Sequence, residues 1–314
     1  MMKIIIRNYF ALFCFCIAIA GCSDEQTDGT IPSKNNWGAK ERIDSIVWRP
    51  EDPAVFKFDY NLENKVKAYK IETARSNIAG PDSVTFDYLP EKITARMSFL
   101  KETSWGGLVK QKTTGTFYLH DGKIVCASLP ICDTELIRDS IIYHYDGDKL
   151  SNYEVYEVNI RNTESPGTLC YVQNFSWNND DLVSMSAIKD SETIYETSFT
   201  YNTNTLTALL PYMSFEYLLD SNRTYISVLA NMGFFGVLPK HELTEIVVTR
   251  KETDYRYQVQ IDYHYGTDGL PLTYDFHHTE WYYGLPFFAG QDGDKQWNIA
   301  KSQSSNGIKV IWCH

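Results

Sequence analysis

The sequence predicts an all-β protein. The expected architecture is a large antiparallel sheet of repeated β-hairpins, strongly curled or nearly closed, with one short helix packed inside. Three observations carry this. Aromatic residues reach 14%, with 22 Tyr, 16 Phe and 7 Trp, which favours strands over helical bundles. A short aromatic-x-large-residue unit recurs along the chain, each time before a polar turn and an aliphatic residue. Only one stretch, near residue 230, has helical periodicity.

The elements follow in chain order. Residues 1–21 carry Lys3 and Arg7, then an apolar run to Gly21 with no acid, and read as a secretory signal. That run is shorter than the roughly 20 apolar residues a membrane helix needs. It ends Ile19-Ala20-Gly21-Cys22, which resembles a bacterial lipobox, so Cys22 is the expected lipidation site. Ser23-Asp24-Glu25 is similar to the acidic export signal of Bacteroidota surface lipoproteins. Residues 22–41 read as the lipidated cysteine and a flexible tether, rich in polar residues, Gly and Pro.

Residues 42–314 form the expected single repetitive β domain. The unit appears at Phe58-Asp-Tyr60, Phe86-Asp-Tyr88, Phe117-Tyr-Leu119, Tyr143-His-Tyr145, Phe175-Ser-Trp177, Phe199-Thr-Tyr201 and Tyr263-His-Tyr265. Residues at i and i+2 share one face of a strand. Turn residues such as Asp146-Gly147-Asp148 and Asn178-Asn179-Asp180 then reverse the chain. The aliphatic residues Val66, Ile93, Ile124, Leu150, Leu182, Leu206 and Leu270 open the return strands. One hairpin is marginal alone, so neighbours must pair. Seven hairpins give about 14–16 strands, a width at which a sheet curls, splits or closes. The spacing is near 30 residues except for a gap of 64 between Tyr201 and Tyr265, which reads as a missing or overwritten copy. Within that gap, residues 211–238 read as a helix and loop. Tyr225, Ile226, Leu229, Met232 and Phe235 make the helical stripe, and Gly233 and Gly236 stop it.

The lipobox, the hairpin units and Gly233-Phe-Phe-Gly236, followed by Pro239-Lys-His-Glu-Leu243 and Thr244–Thr249, together resemble a family. It is a family of Bacteroidota surface lipoproteins of unknown function with a porin-like β-fold. The resemblance covers roughly residues 42–280. It implies the fold and the cell envelope, and no catalytic residue. A membrane barrel is not expected, because the strands carry Lys, Glu and Asp among their aromatics.

Charge narrows the partners. The formal net charge is −11, against nucleic acid and against charge-driven binding to anionic lipid. The expected membrane contact is the lipid anchor, with the cell surface or the periplasmic leaflet as alternatives. Cys126, Cys132, Cys170 and Cys313 are either two disulfides or buried free thiols. No C-x₂₋₄-C pair supports zinc, and no cofactor is implied. His277-His278-Thr279-Glu280 is the densest cluster of ligand types, but adjacent strand residues point to opposite faces, so exposed strand positions are expected. The Asp-Gly-Asp segments lack the full calcium-loop signature and read as turns. Asp-Ser-aliphatic segments at Ser45, Ser83 and Ser140 resemble the O-glycosylation sequon of Bacteroidota, and each also fits a turn before a strand.

Trp105, Trp281, Tyr282 and Tyr283 stand beside expected loops, where flat rings with a polar handle suit sugar stacking or protein contact. Nucleotide-binding, serine-hydrolase and zinc-protease signatures are absent from the sequence, and no catalytic residue is selected. The leading expectation is a surface-anchored lipoprotein that binds or scaffolds, with polysaccharide or host protein as ligand. The alternatives are a carbohydrate-active hydrolase with an acidic cleft and a structural accessory of an outer-membrane complex.

Overall fold

A computed structural model describes residues 42–48, 54–73, 82–102, 108–131, 137–161, 167–206, 224–250, 255–284 and 296–312. Cys22 and its tether, Trp105, Cys132, Cys313 and Asp292–Asp294 lie outside the described residues.

Sixteen strands run in chain order. They are β1 Ile43–Trp48, β2 Ala54–Tyr60, β3 Val66–Thr73, β4 Ser83–Leu89, β5 Lys92–Glu102, β6 Leu108–His120, β7 Lys123–Pro130 and β8 Ile137–Asp146. Then come β9 Lys149–Asn159, β10 Thr168–Asn178, β11 Asp181–Lys189, β12 Glu192–Thr205, β13 His241–Arg250, β14 Tyr255–Tyr265, β15 Pro271–Gly284 and β16 Gln296–Trp312. Each pairs antiparallel with its sequence neighbours, and β1 pairs with β16, so the sheet is a closed barrel. Closure removes every exposed sheet edge.

Alternation sorts the residues. Phe56, Phe86, Ile93, Phe117, Tyr153, Phe175, Ile246, Tyr274 and Val310 point inward and are buried. The outer face carries cross-strand ion pairs: Lys57–Glu72 at 2.8 Å, Arg96–Asp87 at 2.6 Å, His264–Asp275 at 2.8 Å and His277–Asp262 at 3.2 Å. A lysine or arginine facing lipid at mid-membrane costs about 2–4 kcal/mol. This exterior is built for water, with the apolar residues inside.

The hairpin units explain one end of the barrel. In six of the seven, the second aromatic ring reaches across to the preceding strand pair and donates a hydrogen bond to the carbonyl of its opening aliphatic residue. The Tyr60 hydroxyl donates to Ile43 at 2.7 Å, Tyr88 to Val66 at 2.7 Å, and Tyr145 to Ile124 at 2.6 Å. The Trp177 indole donates to Leu150 at 2.8 Å, Tyr201 to Leu182 at 2.7 Å, and Tyr263 to Leu243 at 2.6 Å. A cation just before the aliphatic residue stacks on the same ring: Arg42 on Tyr60, Lys65 on Tyr88, Lys123 on Tyr145 and Lys149 on Trp177, all between 5.3 and 5.7 Å. Leu119 holds the equivalent place in the third unit and has no hydroxyl to give.

The long gap between units is an insertion, not a lost copy. The sequence expects Leu206 to open a return strand. In the structure Leu243 opens it, on β13, and the segment between interrupts the turn. The Leu206 amide donates to the Lys240 carbonyl at 2.8 Å, closing the base of the insertion.

The insertion carries helix α1, Thr224–Asn231. Every residue from Tyr225 to Met232 is buried, so this helix is enclosed on all sides, inside the barrel. Gly233, at φ 80°, ends it. The Gly233 and Phe234 amides bond back to Ala230 and Leu229, satisfying two terminal carbonyls. The loop that follows seals the tight-turn end. Phe234 stacks on Tyr88 at 5.9 Å and its carbonyl accepts from the Ile124 amide at 2.7 Å. Phe235 meets Tyr143 edge-on at 5.1 Å, and Val237 donates to the Asp148 carbonyl at 2.9 Å. Gly236 sits at φ 81°, where an added Cβ would fall 2.1 Å from the Asp148 carbonyl oxygen.

Candidate functional site

The lumen changes character along its length. At the plugged end it is filled by α1 and by aliphatic and aromatic side chains. Toward the opposite end of β10 and β12–β15, polar groups turn inward among the rings.

Register places them. In β13 the inward positions run Ile246, Val248, Arg250. In β14 they run Tyr255, Tyr257, Val259, and in β15 they run His278, Glu280, Tyr282. The cross-strand pairs Arg250↔Tyr255, Tyr255↔Tyr282, Tyr257↔Glu280 and Val259↔His278 fix this alignment. On the neighbouring strands Tyr195 of β12 lies opposite Arg250, and its hydroxyl donates to Gln173 Oε1 of β10 at 2.7 Å.

The groups interact as a cluster. His278 Nε2 lies 3.6 Å from Glu280 Oε1. The imidazole meets the Tyr257 ring edge-on at 5.1 Å. The Arg250 guanidinium sits over the Tyr255 ring at 5.9 Å. Burial, helped by the hydrogen bond to Glu280, pushes the Tyr255 hydroxyl up to about 12. It is therefore a neutral donor throughout the physiological range. The side chains of His278 and Glu280 keep 33% and 23% of their surface exposed, so solvent reaches the pair. Chemically the inner face here combines a carboxylate, an imidazole and several phenol rings, with the Arg250 guanidinium exposed at the rim and the Gln173 amide fully buried beside them.

The expectation that the His277–Glu280 segment is simply exposed holds for one face only. His277 is on the outer face, with Nε2 3.2 Å from Asp262 and Nδ1 2.9 Å from Ser304 Oγ. His278 and Glu280 turn into the lumen. Strand alternation separated the two histidines, but only closure of the barrel decides which face is inside.

The aromatic candidates divide in the same way. Trp281 is on the outer face under the Arg256 guanidinium at 5.4 Å. Tyr282 is inward, opposite Tyr255, and Tyr283 follows in β15 opposite Trp297. Trp281 and Tyr282 therefore lie on opposite faces of the sheet.

Ser45 is 4% exposed, with its hydroxyl 3.0 Å from Asp44 Oδ2. Ser83 opens β4 and Ser140 lies on β8, both half-buried. Cys126 and Cys170 are free thiols, and burial pushes both above their ordinary value. Among the described residues, no group of three or more His, Cys, Asp or Glu has the geometry to hold a metal ion. Asp148 pairs with Lys123 at 2.8 Å within its turn.

By sequence, no family model and no curated protein matches the chain. By structure, the chain is similar to a porin-like protein from Bacteroides uniformis ATCC 8492. The TM-score is 0.52 at 13% identity, over 85% of this chain and 98% of that one. A porin-like protein from Bacteroides vulgatus ATCC 8482 aligns at a TM-score of 0.47 and 12% identity, with the same coverage. The first likeness shows a shared porin-like β-fold, as the sequence resemblance implies.

Proposed function

We propose that this protein is a lipid-anchored binding module of the cell envelope and that its ligand is a saccharide held in the polar part of the lumen. One observation carries the reading. A barrel packed with apolar side chains turns His278 and Glu280 inward among tyrosines, with the exposed Arg250 at their rim. Enclosing charged groups is costly, and apolar residues of similar size would fill the space more stably. Groups kept at such a cost, with solvent access, mark a functional surface. Phenol rings beside paired donors and acceptors match the alternating apolar faces and hydroxyl rims of sugars. The lipobox at Cys22 and the water-facing exterior support an anchored module over a membrane-spanning one.

Thermal unfolding in the presence of a panel of oligosaccharides tests it. A ligand at 100 times its Kd adds about 2.7 kcal/mol, which raises Tm by several degrees in a domain of this size. We expect one sugar class to give such a shift. Glu280→Gln and Arg250→Ala abolish it, whereas Trp281→Ala, on the outer face, retains it. A shift that is lost only with Trp281→Ala moves the site to the exterior. No shift with any sugar removes the small-ligand reading and leaves a structural partner.

A further inference from the structure

The plugged end carries a second feature that neither folding nor ligand binding explains. The turn between β2 and β3 is built by Asn61, whose side-chain oxygen accepts from the Glu63 and Lys65 amides at 3.0 and 2.9 Å. That ordered turn holds Leu62 at its tip, 103% exposed. On the adjacent hairpin the β4–β5 turn presents Leu89, 51% exposed. The loop sealing the barrel presents Val237, 40% exposed, fixed by its bond to Asp148. Around the rim Leu272, Ile311 and Tyr118 continue an exposed apolar arc from β15 through β16 to β6. The arc spans the β16–β1 seam. Single exposed apolar residues are ordinary, and Val109, Ile160, Leu169 and Ile299 are exposed toward the opposite end, but the plugged end presents more of them and the fully exposed Leu62, which marks it as the contact surface.

The same end is where the chain enters the barrel, because Arg42 directly precedes β1 there. Nineteen residues, 23–41, separate it from Cys22. Even fully extended, that length of chain reaches no more than roughly 70 Å, so an acylated Cys22 keeps this end at high effective concentration against the bilayer. The cations flanking Leu62 are partnered: Lys65 pairs with Glu63 at 2.8 Å, and Arg42 donates to Asn64 Oδ1 at 3.0 Å and sits over the Tyr60 ring.

We propose that the plugged end docks on the lipid surface to which the chain is anchored, with Leu62, Leu89 and Val237 entering the headgroup region. The inference rests on acylation of Cys22, which selects lipid as the occupant. Docking of this end holds the β1–β16 seam at the membrane and turns the polar part of the lumen away from it.

The test uses the full chain purified from membranes and reconstituted in phosphatidylcholine vesicles. Intact mass reports acylation of Cys22 separately. An environment-sensitive fluorophore is introduced as an unnatural amino acid at position 62, or at position 160 at the opposite end, and quenched by headgroup-labelled lipid. Docking predicts several-fold stronger quenching at 62 than at 160. With the reporter at 62, Leu89→Glu with Val237→Glu reduces that quenching while the vesicles still carry the protein. Equal quenching on an acylated chain overturns docking and leaves the anchor standing. An unacylated mass overturns the anchor and, with it, the lipid surface as occupant. Self-association that disappears in the double variant, with no quenching at 62, replaces the lipid surface with a second copy of the chain.

Discussion

At the scale of single residues, the tyrosine hydroxyls explain why the repeat has the form it does. A large apolar residue near the end of the strand fills space, as Leu119 does on β6, but a phenol or indole there also satisfies a carbonyl on the neighbouring hairpin. Tyr145→Phe keeps the ring and leaves the Ile124 carbonyl without that donor. A net hydrogen bond is worth roughly 1 kcal/mol. Tm should fall by about 2–4 °C in a domain of this size. Tyr118→Phe, whose ring is on the outer face, should leave Tm unchanged in the same thermal scan. Gly236→Ala should cost more, because the position combines positive φ with a carbonyl in the space of the new Cβ. Strain of this kind is on the order of 1–3 kcal/mol, and proteolysis of the sealing loop would show it as faster cleavage near α1.

At the scale of elements, the inserted plug is held at its return by Asp181. Its carboxylate accepts from the Lys240 and His241 amides at 3.0 Å each and from the His241 ring at 2.7 Å. Burial alone would raise the carboxyl, but these donors outweigh it and hold it below its ordinary value. A depressed folded value means that the stabilisation is complete above about pH 4, the ordinary aspartate value, and fades as pH falls through the folded value. Acid denaturation should therefore be less steep in Asp181→Asn than in the wild type, measured as unfolding free energy against pH. The hairpins were legible in the sequence because alternation and turn chemistry are local. The plug helix was legible from its periodicity and Gly233. Where the return strand begins was not, because Leu206 and Leu243 both fit the aliphatic position and only the long-range Leu206–Lys240 bond distinguishes them. The polar cluster was less legible still. Arg250, Tyr255, His278 and Glu280 are ordinary strand residues until the register of three strands brings them together on the inner face.

At the scale of the whole molecule, the interior is a store of protonated phenols. Burial pushes Tyr88, Tyr145, Tyr153, Tyr195, Tyr201, Tyr263 and Tyr274 well above their ordinary range. A raised folded value stabilises the native state fully below the unfolded value of about 10 and loses that stabilisation as pH rises beyond it. Alkaline unfolding should thus be cooperative. Tyrosinate absorbance from these residues should appear together with loss of the β-sheet circular dichroism signal, not ahead of it. Titration of the full set in an intact barrel would show that the interior admits hydroxide.

The pairing of Ile43 with Trp312 has a topological consequence. Every strand has two hydrogen-bonded neighbours, so the chain is a ring with a single cut, and nothing in the hydrogen bonding privileges the place where the cut falls. A circular permutant that joins residue 312 to residue 42 through a short glycine linker, and opens the backbone at the Asp190–Ser191 turn, keeps every strand pair intact. It would move both chain ends to the opposite rim while leaving the plug where it is.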